Sequence, residues 1–284
     1  MTSYLVGLIG SGIGPSLSPA LHEREARHLG LHYVYRLIDL DDLGLAAGDA
    51  GELVRTARRL GYDGLNITHP CKQTVIPHLD DLSGDAATLG AVNTVVFEGE
   101  RAIGHNTDWT GFAESFARGL PDAPTGRIVQ LGAGGAGAAV AHALLTLGAD
   151  EIAVVDAVPA RAQALAGRLA ARFGTGRARP AGQADLAEVL PRADGLVHAT
   201  PTGMAHHPGT PLPADLLHPG LWVADIVYRP LETDLLRHAR ALGCRTLDGG
   251  GMVVFQAAHA FHLFTGREPD TERMLAHLAD LITT

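Results

Sequence analysis

Three glycines, Gly132, Gly134 and Gly137, stand in G-x-G-x-x-G register within IVQLGAGGAGAAVAHALLTLG at 128–148. An apolar strand pattern precedes them and an Ala/Leu helix pattern follows. In that setting the first glycine permits a tight turn, the second lets the backbone approach a pyrophosphate, and the third lets helix and strand pack closely. The helix start adds free N–H groups and a positive dipole end. The loop Gly132, Ala133, Gly134, Gly135, Ala136, Gly137 is therefore the expected dinucleotide-binding segment. Asp156 ends the next strand, 19 residues after Gly137, where a partner for a ribose 2′-hydroxyl belongs. A carboxylate accepts from the hydroxyls of NAD and repels the 2′-phosphate of NADP, so NAD is expected and NADP disfavoured. Arg161 follows in DAVPARAQ and suits either a phosphate or an adenine face.

A second group of polar residues has no single motif. Ser16 and Ser18, then Asn66 with Thr68 and Lys72, then Asn93, then Asn106-Thr107-Asp108 each fall where a strand pattern stops. Lys72 and Asp108 are 36 residues apart, each just beyond a predicted strand. Neighbouring parallel strands would bring both to the carboxyl edge of one sheet, where α/β proteins place their sites. There a lysine can move a proton and a carboxylate can orient it. Spacing alone leaves a surface ion pair equally open.

The elements that must carry these groups follow from periodicity. Strands are predicted at 4–9, 33–39 and 63–67, with helices from Ser18 to about Leu29 and at roughly 50–60. Ser18 reads as an N-cap ahead of Pro19. A short helix near 83–90 precedes a hairpin, 92–97 and 101–105, around Glu98-Gly99-Glu100. PDAPTG at 121–126 reads as a hinge. Beyond it come strand 127–132, helix 136–147, strand 151–156, helix 159–172, and strands at 195–199 and 221–227. That alternation implies right-handed crossovers and a parallel sheet. Helical patterns at 249–264 and 271–282 close the chain. Trp109 and Phe112 read as anchors of a helix joining two domains.

Composition sets the frame. At 284 residues the chain exceeds one core, so two domains are expected. The balance of 22 basic against 31 acidic residues gives −9 and argues against a nucleic-acid footprint. Cys71 and Cys244 are too few for a zinc cluster, and Cys71 reads as structural. The 15 histidines include no HExxH pattern, and His206-His207 lies in a Gly/Pro loop, so no metal is expected. The first residues carry no basic n-region, and no apolar run reaches 18 residues. A soluble, cytoplasmic protein is the expectation.

Eight ordered segments resemble the shikimate dehydrogenase family, and within it the NAD-using shikimate/quinate dehydrogenase group. They are SLSPALH (16–22), GLNITHPCK (64–72), GAVNTV (90–95), GHNTD (104–108), GAGGAG (132–137), ATPTGM (199–204), DIVY (225–228) and DGGGMVVFQAA (248–258). Asp156-Ala157-Val158 stands where NADP-using members carry Asn-Arg-Thr. The resemblance implies two α/β domains with a cleft between them. Residues 1–108 with 249–284 would form the substrate domain, and 109–248 a Rossmann NAD domain. It also implies that Ser16 and Ser18 hold the carboxylate of a polyhydroxylated ring acid, with Tyr228 assisting. Asn66, Thr68, Asn93, Asp108 and Gln256 would read ring hydroxyls. Lys72 would be the acid/base of hydride transfer with Asp108 holding it, and Thr200, Thr202 and Met204 would line the cofactor. The implied reaction interconverts shikimate and 3-dehydroshikimate, or quinate and 3-dehydroquinate, in a monomer or homodimer with no membrane or nucleic-acid partner. An amino-analogue dehydrogenase, on aminoshikimate or aminoquinate, fits the same motifs. A non-catalytic nucleotide sensor fits less well, since it has no need of Lys72 and Asp108.

Overall fold

The protein is described here from a computed structural model covering residues 3–283. In chain order the elements begin β1 (Ser3–Gly10), α1 (Ser18–His28), β2 (His32–Asp39), α2 (Leu40–Leu43), α3 (Ala50–Arg59), β3 (Gly64–Ile67) and α4 (Cys71–Thr74). They continue through β4 (Asp81–Leu82), α5 (Gly84–Leu89), β5 (Thr94–Glu98), β6 (Arg101–His105), α6 (Asp108–Gly119), β7 (Arg127–Leu131), α7 (Gly135–Thr146) and β8 (Glu151–Val155). The last are α8 (Pro159–Phe173), β9 (Ala178–Ala181), α9 (Leu186–Val189), β10 (Gly195–His198), β11 (Trp222–Asp225), α10 (Asp234–Ala241), β12 (Arg245–Leu247), α11 (Gly250–Thr265) and α12 (Thr271–Thr283).

The chain forms two compact units. The first runs to Thr107 and resumes at Val254; the second is Asp108–Val253. Against expected borders at 108/109 and 248/249, α6 belongs wholly to the second unit and α11 passes from one unit to the other.

In the first unit the sheet order is β2-β1-β3-β5-β6-β4. β1 pairs parallel with β2 and with β3, while β5 runs antiparallel to both β3 and β6. The end of β3, the start of β5 and the end of β6 therefore share one edge. β3 and β6 are parallel but not neighbours as the sequence suggested, because β5 lies between them. Ile9, Leu65, Ile67, Val92 and Val95 fill one core cluster with Val54 of α3. On a second cluster Val6 and Leu8 pack with Tyr35, Ala260 and Phe264. Alternation along β1 sends successive side chains to these two faces.

In the second unit six strands run parallel in the order β12-β11-β10-β7-β8-β9. This is the doubly wound arrangement, and the order reverses between β7 and β10. Buried Val129, Leu131, Val155, Leu196 and Val223 form its core with Leu235 and Leu236 of α10. Continuous apolar strands are required where helices cover both faces. The 121–126 segment is not a hinge between units. It joins α6 to β7 within the second unit, tied by Trp222 Nε1 donating to the Pro124 carbonyl (2.7 Å) and Arg245 Nη2 to that of Pro121 (2.5 Å).

Candidate active site

The first unit gathers Asn66, Thr68 and Asn93 at one sheet edge, and side-chain hydrogen bonds join Asn66, Asn93 and Thr107. Ser16 and Ser18 lie after β1, Thr68 after β3, Asn93 before β5 and Thr107 after β6. Asn93 Oδ1 accepts the Thr107 N–H (2.7 Å), and its Nδ2 donates to Thr107 Oγ1 (2.9 Å). Asn66 Nδ2 donates to Thr94 Oγ1 (3.1 Å) and to the Asn93 carbonyl (3.3 Å). Asn66 Oδ1 accepts from the Tyr35 hydroxyl at 2.8 Å. Burial pushes the Tyr35 phenol far above its ordinary value, while a hydrogen bond from Ser18 pulls the other way. Tyr35 thus connects Ser18 to Asn66, and both amide hydrogens of Asn66 are already engaged. Asn66 sets the positions of Tyr35, Asn93 and Thr94, leaving its Oδ1 as the atom with spare accepting capacity.

The β1–α1 loop is held from outside by Asp39. Its Oδ1 accepts the Gly12 N–H (3.0 Å) and the Asp41 N–H (3.1 Å), and its Oδ2 accepts the Ile13 N–H (2.7 Å). Desolvation alone would raise the Asp39 pKa, but backbone donors from Asp41, Ile13, Gly12 and Gly14 together hold it below the usual carboxylate range. Ser18 is not the N-cap that its position before Pro19 suggested. Leu17 occupies that place without a capping side chain, and Ser18 is the first helical residue. Its N–H reaches back to Ser16 Oγ at 3.3 Å, so Ser16 supplies the acceptor.

Lys72 lies half-buried in α4, a single turn opened by Pro70 after the cis His69–Pro70 bond. Its carbonyl accepts the Val92 N–H (2.8 Å), which joins the turn to the segment leading into β5. Gln256 is half-buried on α11 in the same unit. Asp108, 7% exposed, opens α6 and is the first residue of the second unit. Cys71 is fully buried and its thiol pKa is raised by desolvation, as befits a structural cysteine.

In the second unit the glycine loop occupies the end of β7 at the switch point. Gly132 has φ +104°, and a Cβ there would stand 2.3 Å from the Ala199 carbonyl oxygen. A Cβ on Gly137 would stand 2.3 Å from the Gly132 carbonyl oxygen. Gly134 has open space before it and is the N-cap of α7. The first bond into the helix is Ala138 N–H to the Gly134 carbonyl (2.8 Å), so the N–H groups of Gly135, Ala136 and Gly137 precede any intrahelical partner. This cradle fits a pyrophosphate. Beneath it Gln130 Nε2 donates to the carbonyls of Gly132 (2.9 Å) and Gly137 (2.8 Å). Asp156 Oδ2 accepts the Ala133 N–H and its Oδ1 the Val158 N–H, both at 2.8 Å. The carboxylate therefore stands against the glycine loop at the carboxyl end of β8.

The remaining cofactor candidates spread around that edge. Thr200 and Thr202 are half-buried and joined by Thr202 N–H to Thr200 Oγ1 (3.3 Å). Met204 is 36% exposed and Arg161 is exposed on α8. Tyr228 is half-buried, and desolvation raises its pKa against the opposing charge of Arg229. His206 and His207 are exposed in a turn closed by the Gly203 N–H on the His207 carbonyl (2.6 Å). His28 and His32 have the spacing of a helical ligand pair, but α1 ends at the first and β2 begins at the second. Among the described residues no group of three or more His, Cys, Asp or Glu side chains could hold a metal, and no helix is long and apolar enough to cross a membrane.

Tyr35, Asp39 and Gln130 were not singled out from the sequence. Asp39 had a legible signal, an acid at a strand end two residues before another acid, which is an N-cap pattern for α2. Tyr35 looked like one more aromatic of an alternating strand, and Gln130 is a polar residue buried inside an apolar one.

Comparison with known proteins agrees with this architecture. Residues 8–95 match the model of the shikimate dehydrogenase substrate binding domain, and 249–278 that of the shikimate 5′-dehydrogenase C-terminal domain. A shikimate dehydrogenase (NADP(+)) of Streptomyces avermitilis is 72% identical over 99% of this chain and 97% of its own length. A quinate/shikimate dehydrogenase (NAD(+)) of Corynebacterium efficiens is 51% identical over 98% of this chain and 99% of its own. The structure of quinate dehydrogenase from Corynebacterium glutamicum in complex with NAD superposes with a TM-score of 0.93 at 47% identity, covering 99% of this chain and all of that one. With its two-domain α/β fold, its Rossmann-type sheet and these full-length relatives, the chain belongs to the shikimate dehydrogenase family.

Proposed function

We propose that this protein is an NAD-dependent oxidoreductase interconverting shikimate and 3-dehydroshikimate, quinate and 3-dehydroquinate, or both pairs. Most of the substrate groups lie in the first unit, and Tyr228 and Asp108 belong to the second. Ser16 and Ser18 donate to the ring acid's carboxylate with help from Tyr228, and that carboxylate competes with Tyr35 for the Ser18 hydroxyl hydrogen. Thr68, Asn93, Asp108 and Gln256 read ring hydroxyls, with Asn66 presenting its remaining acceptor and holding Tyr35 and Asn93 in place. Lys72 in its neutral form takes the proton of the reacting hydroxyl as the carbinol C–H bond breaks, and returns it in the reverse direction. Asp108 holds that lysine in position for the transfer. A bound nicotinamide dinucleotide supplies the hydride acceptor, seated on the glycine loop.

The cofactor choice rests on one observation. Asp156 places its carboxylate 2.8 Å from the Ala133 N–H of the glycine loop, and Ala157 and Val158 beside it carry no cation. Relatives at 72% and 51% identity are named for NADP(+) and NAD(+) respectively, so residue 156 and not overall identity supports NAD. Initial rates with shikimate, quinate and their amino analogues, each with NAD and with NADP, test the proposal. Turnover of at least one of the two hydroxy acids with NAD preferred is expected. Turnover confined to the amino analogues, or a preference for NADP, would overturn it.

A further inference from the structure

The carboxyl ends of β10 and β11 carry a buried polar chain that the proton and hydride transfers leave unexplained. His198, the last residue of β10, is 0% exposed, and Asp225, the last of β11, is 2% exposed. The two are register partners in the sheet. His198 Nδ1 lies 2.9 Å from Asp225 Oδ1, and its Nε2 lies 2.5 Å from Thr200 Oγ1. Asp225 also accepts the Val227 N–H at Oδ1 (3.0 Å) and the Thr233 hydroxyl at Oδ2 (2.7 Å).

With a neutral imidazole, these contacts place the hydrogens. Donors approach both oxygens of Asp225, so it acts as an acceptor and the imidazole hydrogen sits on Nδ1. In a neutral ring Nε2 then offers a lone pair, and the Thr200 hydroxyl must donate to it. Thr200 Oγ1 is left with acceptor capacity only. One lone pair takes the Thr202 N–H (3.3 Å), and the other remains for a ligand. A lone surface threonine would rotate freely; this one has its polarity fixed by two buried residues.

Its place in the sheet gives that polarity a use. β10 is hydrogen-bonded to β7 at the point where the strand order reverses. The Thr200 methyl carbon would stand 3.0 Å from a Cβ on Gly132, so the side chain lies against the glycine loop. Asp156, immediately after β8, marks the adenosine side of such a site; β10 lies on the other side of β7, beside the nicotinamide half.

We infer that His198, locked by Asp225, is a positioning residue that holds the Thr200 hydroxyl as an acceptor for the donor groups of the nicotinamide riboside, a ribose hydroxyl or the carboxamide N–H. The inference rests on the dinucleotide reading above. It assigns the His198–Asp225 pair to cofactor recognition and not to proton transfer with the ring acid.

The test compares Thr200→Val, His198→Leu, His198→Gln and the double variant H198L/T200V by NAD titration calorimetry and steady-state kinetics. Thr200→Val keeps the side-chain shape at a half-buried position. It should raise the Kd and KM for NAD about tenfold, with kcat within about twofold, the size of one lost hydrogen bond. His198→Leu should match it, and the double variant should be no worse than either single one. His198→Gln, which retains a donor and an acceptor, should recover most of the affinity. Should His198→Leu fail to fold, Thr200→Val and His198→Gln still decide the matter. Wild-type binding of NAD with an equal Kd for Thr200→Val, or additive losses in the double variant, would overturn the assignment of His198 alone. A wild-type protein that binds neither NAD nor NADP would instead overturn the dinucleotide reading and this inference with it.

Discussion

Replacing Asp156 by Asn should move cofactor preference from NAD toward NADP. The wild-type carboxylate accepts the Ala133 and Val158 N–H groups on separate oxygens, each at 2.8 Å. An amide has one accepting oxygen, so one of those N–H groups would face an NH2 group, and a ribose hydroxyl would lose a charged acceptor. A hydrogen bond to a charged group contributes about 1.5–3 kcal/mol. Its loss lowers kcat/KM for NAD by about 10–150-fold at 1.4 kcal/mol per decade. For NADP the change has the opposite sign. Two like charges about 4 Å apart repel by roughly 1–4 kcal/mol between bulk water and a protein surface. Neutralising residue 156 removes that repulsion from the 2′-phosphate, a gain of about fivefold or more. The NAD:NADP ratio of kcat/KM should therefore fall by about 10²–10⁵-fold. Initial rates with each cofactor varied at saturating ring acid measure it, and a melting curve checks that the loop remains folded. Adding Ala157→Arg should lower the ratio further by supplying a cation for the phosphate. A ratio for Asp156→Asn within about threefold of wild type would refute the role given to this carboxylate.

Other expectations follow from individual contacts. In Gly137→Ala the new methyl would stand 2.3 Å from the Gly132 carbonyl oxygen, so the variant should lose dinucleotide binding in calorimetry; unchanged affinity would contradict the cradle. Glu25, 2% exposed, accepts Arg273 Nε (2.8 Å), Arg273 Nη2 (2.5 Å) and the Asp270 N–H (2.9 Å), tying α1 to the start of α12. Arg273 retains 32% of its side-chain exposure, so Glu25→Ala should cost about 2–3 kcal/mol, less than the roughly 3–5 kcal/mol of a fully buried pair, and lower Tm by roughly 5–10 °C. His22 is buried among Tyr33, Tyr35, Phe261 and Phe264, and desolvation lowers its pKa from 6.5 to about 3. The unfolded chain therefore binds this proton first as pH falls, and the stability held by neutral His22 is lost between pH 6.5 and about 3. Relative to His22→Phe, the wild type should lose about 2 kcal/mol between pH 7 and pH 5 in denaturant titrations; parallel pH curves would contradict this.

The long elements were legible because their periodicity and punctuation agree. The glycine-loop strand and helix, the hairpin at Gly99-Glu100 and the parallel sheet of the second unit all follow from patterns of apolar residues and turns, while the strand order does not. Short pieces escaped. β4 has two residues and β12 three, too few for a period, and β9 contains Pro180, tolerable because it is an edge strand. PDAPTG has the composition of a hinge, yet bonds from Trp222 and Arg245 fix it inside one unit. For the candidate site, residue types at strand ends were visible, but the connections between them were not. Tyr35 bridges Ser18 and Asn66 only because β1 pairs with both β2 and β3, a fact of sheet order. His198 and Asp225 meet through register across 27 residues, which spacing alone cannot reveal.

Proton transfer by Lys72 is tested most directly by one comparison, single-turnover and steady-state oxidation of shikimate and quinate by wild type and Lys72→Ala, alongside the Kd for NAD. General acid–base assistance is worth about 10²–10⁴-fold, so kcat should fall by that factor while the Kd for NAD stays within about twofold. Turnover by Lys72→Ala close to that of the wild type would contradict the assignment.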